Sequence, residues 1–502
     1  METAMQPASA VESTTAPPRS ALATPRGRLV LVLLCLVAFL DFVDASIVNV
    51  ALPEMRDDLG FSVQGLQWVP SGYLLTYGGF MLLGGRTADL LGRRPILLAG
   101  TTLFAVASLI GGLATTAGVL VAARLGQGVG AAFMLPAALS LLTTTFHHGT
   151  DRTKALGAWG GMAGLGSAAG VLFGGLLTEG PGWRWVMLVN LPAAAVVLVG
   201  AVRLIDDDRR TARASTFDLP GALLSTGGML LLVFTLVKAP DVGWGAARTI
   251  GGVAGALGLL VAFILVERRG EHPLLPLSLL HIRGLAAANV TQLIGVAGFI
   301  AMFFFLTLYM QNVLGYSPIR TGLAYLPVTV GVGFAAGVTP RLVGRIGTRP
   351  VIVAGALVAA AGVALLARVP VNGSYLTDLL PGLVVMALGL GAVFVAVTTA
   401  ANAGVPADKA GSAAALLNAS QQLGGALGLA IFTAVATSRT EDLLQAHSEP
   451  HAAMTGGFHR ALLAAAAFLV AAAFIALRTA NAGAHQESLS AASSMSDSDS
   501  ST

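Results

Sequence analysis

One cysteine, Cys35, is all that the 502 residues carry, which excludes an intrachain disulfide and any metal site built on clustered thiolates. Charge is equally scarce. Asp, Glu, Lys and Arg make up 11% of the chain, against about 25% in soluble proteins. Lysine occurs three times and arginine twenty-six, a skew that fits a GC-rich genome and carries no chemistry. No phosphate-cradling glycine loop lies in a cytoplasmic position, which argues against ATP-driven work by this chain.

What is present instead is apolar surface. Hydrophobic residues reach 55%, mean hydropathy is +0.78, and apolar runs of about twenty residues recur along the chain. An all-α membrane protein with many spans follows. Glycine, at 62 residues, exceeds the usual ~7% and suits helices that approach through small side chains. A net charge of +4 and a pI near 9.5 do not point to nucleic acid, because the basic residues gather in loops on one side.

Fourteen spans are expected near 28–51, 68–87, 95–115, 117–143, 153–177, 185–204, 219–237, 249–267, 285–310, 320–343, 349–368, 379–402, 410–435 and 458–477. An even number puts both termini on one side. Loops and tails of that side hold twenty Lys and Arg against eight opposite, with Arg124 inside a span, so both termini are expected in the cytoplasm. Residues 1–27 and 479–502 lack apolar periodicity and are expected to be disordered cytoplasmic tails. A cleaved signal peptide is disfavoured: the first apolar run exceeds an h-region of about 7–15 residues and contains two aspartates. All eight histidines are assigned to loops or tails, and spans 9–14 to sequence without Asp or Glu, which leaves few carriers for a proton. HSEPHA (447–452) lacks the ligands for a metal site, so none is expected.

An internal repeat fixes the architecture. LGRRPILLAG (91–100) recurs as IGTRPVIVAG (346–355), an offset of 255 residues that takes span 3 onto span 11. Parallel halves of six spans would be offset by six, so two extra spans sit between them, at 219–237 and 249–267.

Span 1 ends on LDFVDASIVNVALP (40–53), where Asp41 and Asp44 share one helix face. A charge within a span opposes insertion by about 2.5–3.5 kcal/mol, so such groups face a cavity or a partner. Proton or cation handling is favoured here over a purely structural ion pair. Arg124 lies about 10 Å from the outer end of span 4 and Asp44 about 13 Å from that of span 1, depths at which they can meet.

Five segments, in order, carry a family resemblance: VDASIVNVALP (43–53), GRTADLLGRRP (85–95), RLGQGVGAA (124–132), GWRWVMLVNLP (182–192) and YMQNVLGYSP (309–318). From about residue 29 to 478 the chain resembles the fourteen-span drug/proton antiporter branch of the major facilitator superfamily. Two segments depart from its pattern. Thr87 and Leu90 replace the usual Leu and Arg of the loop motif, and Ser167 and Val171 stand where prolines are common in GLGSAAGVLFGG (164–175).

The resemblance implies a major facilitator fold of two six-helix bundles, 28–204 and 268–478, with two inserted linker spans within 205–267. It implies proton-coupled export of amphipathic drugs or antibiotics across the cytoplasmic membrane, with no enzymatic activity and no cofactor. The partners are the substrate, protons and the lipid bilayer, with no nucleic acid, on a monomer. Proton coupling falls to Asp44, Asp41 and Arg124. Asp44 matches the family's acidic position and takes the proton-linked role, while Asp41, nearer the midplane, sets which substrate charge is accepted. Neutral anchors of the cavity are expected at Gln292, Tyr309, Gln311, Tyr325, Asn418 and Gln421. Gly85, Asp89, Gly92, Arg93 and Arg94 form a conformational latch in the loop motif. Gly166, Gly170 and Gly174, one every four residues, read equally as a rocking interface or as plain packing. A proton-coupled importer or facilitator on the same scaffold stays open, as does a non-transporting receptor or scaffold, which the buried charges of the first half argue against.

Overall fold

The structure, a computed structural model, describes residues 21–146, 149–206, 218–270, 279, 281–282, 284–405 and 410–482. Among them are seventeen α-helices and no strand. The first half comprises α1 (Pro25–Leu59), the short α2 (Val63–Leu66), α3 (Trp68–Leu91), α4 (Arg93–Gly112), α5 (Ala117–Thr145), α6 (Gly149–Glu179), the short α7 (Arg184–Leu188) and α8 (Asn190–Leu204). A helical hairpin follows, α9 (Leu219–Val242) and α10 (Ala247–Arg269). The second half holds α11 (Leu285–Leu308), α12 (Pro318–Ala324), α13 (Leu326–Ile346), α14 (Thr348–Leu366), α15 (Leu380–Asn402), α16 (Ala410–Gln445) and α17 (Pro450–Ala476). Among the described residues, twelve helical segments are long and apolar enough to cross a membrane. The count of fourteen exceeds this by α3 and α9, the expected spans 2 and 7; α9 contributes the shorter apolar stretch Pro220–Leu236.

Local sequence explains where the helices start and break. Thr24 caps α1, its hydroxyl accepting from Gly27 N at 3.0 Å, with Pro25 in the first turn where its missing N–H costs nothing. Two expected spans are each split in two. Pro192 cannot bond to the carbonyl of Leu188, nor Pro327 to that of Leu323, and the helices break at Val189 and Tyr325. Glu449 caps α17 and Pro450 opens it, eight residues before the expected span 458–477. This corrects the placement of the histidines: His451 and His459 lie on α17, and the His459 ring nitrogen sits 2.7 Å from the Val369 carbonyl.

The internal repeat is also a structural one. Gly92 and Gly347 occupy equivalent positions, both at positive φ (98° and 83°), a conformation that only glycine adopts without strain, and each is followed at once by a helix. Arg94 then donates to the Val202 carbonyl at 2.9 Å near the end of α8, and its counterpart Arg349 donates to the Thr479 carbonyl at 2.9 Å just past α17. In each half the same arginine ties the third span to the end of the last. Thr348 and Arg349 hold residues 479–482 by further hydrogen bonds, so the packed chain runs four residues into the expected tail. Residues 1–20 and 483–502 of the expected tails lie outside the described residues.

Alternating helix direction puts the start of α1 and the end of α17 at one end, here the terminal face, and the α9–α10 turn at the opposite, distal face. Hydrogen bonds join the halves distally: Arg56 reaches Asn312 Oδ1 at 3.5 Å, Gln311 donates to the Val50 carbonyl at 2.9 Å, and Ile319 N donates to Glu179 at 3.2 Å. There α6 and α12 approach so closely that a Cβ on Gly175 would lie 2.7 Å from Ile319 Cα. The inserted hairpin packs against itself and rests on α3 and α16, where Thr226 donates to the Gly79 carbonyl at 2.7 Å.

Candidate functional site

Span 1 supplies the centre of the site. Asp44 is fully buried and meets Arg124 Nη1 at 2.6 Å, so the matched depths read from sequence end in an ion pair. Its other oxygen accepts from Asn190 Nδ2 at 2.7 Å and from Gln127 Nε2 at 3.2 Å. Arg124 is held through Nε and Nη1. Its Nε donates to the Val69 carbonyl at 3.0 Å, Nη1 also donates to Gln127 Oε1 at 2.8 Å, and the guanidinium lies 4.4 Å from the Tyr73 ring centroid. Gln127 in turn donates to Ser108 Oγ at 2.7 Å. A buried ion pair is tolerated when hydrogen bonds satisfy its remaining capacity, and here five helices contribute to that shell.

Asp41 sits one turn away in a different setting. Both oxygens accept from phenols, Tyr73 at 2.5 Å and Tyr77 at 3.3 Å. The two rings stand 5.5 Å apart on α3, and the Tyr77 hydroxyl also meets Gln422 of the second half. Unlike Asp44, Asp41 lines a cavity of about 360 Å³ between the two halves. Gln292 and Gln421 face it from the second half, 3.3 Å from each other, beside Phe299, Phe303 and Phe394. The cavity extends to Thr398, four residues from the terminal-face end of α15. A pocket with apolar walls, one carboxylate and a few amides suits an amphipathic guest with a cationic or donor-bearing group.

Of the expected cavity residues, Asp41, Gln292 and Gln421 line it, whereas Tyr309, Gln311, Tyr325 and Asn418 do not. Tyr309 donates to the Pro370 carbonyl at 2.5 Å, Gln311 closes the distal seam, and Tyr325 lies fully buried, its hydroxyl 3.0 Å from Thr307 and from the Phe303 carbonyl. Ser167 and Val171, the two departures from the family pattern in α6, both line the cavity. The glycine stripe faces α1 of its own bundle. A Cβ on Gly170 would lie 2.7 Å from the Val43 carbonyl, one on Gly174 2.7 Å from that of Ile47, and one on Gly166 2.8 Å from Phe42 Cβ. Its neighbour Gly175 makes the contact between halves instead. In the loop motif, Gly85 ends beside Pro136, Gly92 makes the positive-φ turn and Arg93 opens α4, while the side chain of Asp89 lies outside the described residues.

Tyr73, Tyr77, Gln127, Asn190 and Ser108 were absent from the expected site. One signal existed for the tyrosines: they are two of only six in the chain, spaced i and i+4 on one helix. Gln127 and Asn190 lie within two of the segments that carry the resemblance, RLGQGVGAA and GWRWVMLVNLP, whereas Ser108 carried no signal.

Comparison with known proteins places these features in a family. The model of the Major Facilitator Superfamily matches residues 34–429. The chain is 42% identical to the puromycin resistance protein of Streptomyces alboniger over 89% of both chains. It is 40% identical to the cephamycin export protein of Amycolatopsis lactamdurans, over 82% of this chain and 85% of that one. Among solved structures, a bacterial homologue of the lysosomal transporter Spinster aligns with a TM-score of 0.63 at 17% identity, covering 90% of this chain and 97% of the other.

Proposed function

The chain belongs to the Major Facilitator Superfamily, and on that footing we propose that it exports amphipathic small molecules of the antibiotic class in exchange for protons. Similar proteins of this family bear the names of puromycin and tetracenomycin C resistance and of cephamycin export. The observation that carries the mechanism is the position of Asp41: among the described residues the one acid on the wall of the cavity, held by two phenols, beside a buried Asp44–Arg124 pair.

Access separates the two acids. Asp44 has its oxygens committed to Arg124, Gln127 and Asn190 and no exposed surface, so a proton arriving there would have to break a charge-assisted bond at 2.6 Å. Asp41 can trade a phenol bond for a proton or a substrate cation without disturbing that pair. We therefore assign exchange of proton and cation to Asp41 and a positioning role to Asp44 and Arg124, the reverse of what the motif alone suggests for Asp44. Arg124 holds the Tyr73 ring, and Tyr73 holds Asp41, so the fixed pair orients the exchanging acid.

A protonated Asp41 no longer needs both phenolic donors. Tyr77, which meets both Asp41 and Gln422, then has reason to change partner across the seam between the halves. That links protonation to the rocking of one six-helix bundle against the other, with the α9–α10 hairpin as an insert. With both termini in the cytoplasm, the distal seal leaves the cavity facing inward, the state that loads a drug for export. The loop glycines and Arg93, Arg94 and Asp89 would stabilise the opposite state. One proton entering down 100 mV supplies about 2.3 kcal/mol per cycle on a monomeric carrier.

Everted membrane vesicles from expressing cells test the reading with ethidium as the cationic probe. Accumulation on imposing an inside-acid gradient, absent from non-expressing vesicles, is expected. Gradient-driven uptake only into right-side-out vesicles would make the chain an importer.

A further inference from the structure

We propose a second binding site, for a phospholipid headgroup, at the distal face where the inserted hairpin meets the second half. A cavity of about 370 Å³ opens there between the α9–α10 turn and the distal ends of α16 and α17. Trp244 stands at the hairpin tip, 53% exposed, and Ala434 and Val435 give the cavity an apolar floor. Arg439 and Asp442 project from one face of α16, and Arg460 comes from α17.

Charge identifies the ligand. Arg439 and Arg460 make no ion pair and no hydrogen bond with any described residue, and Asp442 is not within ion-pair distance of either. Two unpaired guanidiniums facing one cavity fit a phosphate, which they can grip through parallel N–H groups. The carboxylate beside them fits the donor on a head alcohol, an ammonium or a hydroxyl. Depth identifies the source. These residues lie where α16 leaves its apolar stretch, beside an exposed tryptophan, the arrangement of a membrane–water interface. The apolar floor then receives the glycerol and the first acyl carbons. Phosphatidylethanolamine, with phosphate for the arginines and ammonium for Asp442, matches all three groups; phosphatidylcholine lacks the donor.

The site also assigns a role to the hairpin that the transport reading leaves idle. A lipid held between Trp244 and the ends of α16 and α17 bonds the insert to the moving second half.

Native mass spectrometry of the full chain, stripped of lipid in detergent and titrated with phosphatidylethanolamine, phosphatidylcholine or inorganic phosphate, tests this. The wild type should retain phosphatidylethanolamine over phosphatidylcholine. Arg439→Gln with Arg460→Gln should weaken retention about thirtyfold, two cationic contacts at about 1 kcal/mol each. The corresponding pair of lysine substitutions should recover part of it, and Asp442→Asn should remove the preference between the two lipids. Equal retention by the wild type and the glutamine pair overturns the site. Complete displacement by millimolar inorganic phosphate overturns the lipid as its ligand.

Discussion

Replacing Gly175 by alanine tests the distal seal at its tightest point. The added Cβ would stand 2.7 Å from Ile319 Cα and 2.9 Å from the Pro318 carbonyl, both backbone atoms of α12. Carbon atoms rest at about 3.5–4.0 Å, so α6 and α12 must part by roughly 1 Å. Overpacking of that size costs about 1–3 kcal/mol, and only the distally closed state bears it. At about 1.4 kcal/mol per factor of ten, the equilibrium moves about five- to 150-fold towards distal opening. Paired spin labels at Asp57→Cys and Ser374→Cys, in a Cys35→Ser background, would read this as a longer distance across the distal face. Gly174→Ala is the control. Its Cβ meets the Ile47 carbonyl of the same bundle, so it should lower the melting temperature without moving the label distances. An unchanged distribution in Gly175→Ala, or the same shift in both variants, would refute the seal as the element that rocks.

Asp44→Asn leaves Arg124 buried without its counter-charge and should cost up to about 3–5 kcal/mol of stability, whereas Asp44→Asn with Arg124→Gln should regain most of it in a thermal melt. Tyr73→Phe removes the 2.5 Å bond to Asp41 and should weaken transport of a cation by about tenfold or more, with Tyr77→Phe, at 3.3 Å, weaker in effect; ethidium transport rates would rank them. Gly227→Ala meets only Leu259 at 4.0 Å and should leave transport in everted vesicles intact, as expected of a hairpin outside the moving seam.

Much of this architecture was legible because hydropathy and the repeat are local signals. The 255-residue offset carried Gly92 onto Gly347 and Arg94 onto Arg349, and both pairs repeat their backbone form or their partner. The Asp44–Arg124 pair was legible too, since depth along a span follows from residue count. The cavity wall was harder to read. A polar side chain in an apolar span satisfies itself equally well on a cavity, a carbonyl or a neighbour, and Tyr309 and Gln311 took carbonyls. Nor did sequence reveal that two phenols would shield Asp41 while two amides completed Asp44, which is what divides their chemistry.

Proton release on binding is the most direct test of that division. Purified protein in weakly buffered detergent solution would be mixed with ethidium while a pH-sensitive dye follows the protons. The wild type, and the variant carrying Asp44→Asn with Arg124→Gln, should both release protons on binding, while Asp41→Asn should release none. Release that persists in Asp41→Asn and vanishes in the neutral pair would put the exchanging proton on Asp44 and contradict the account.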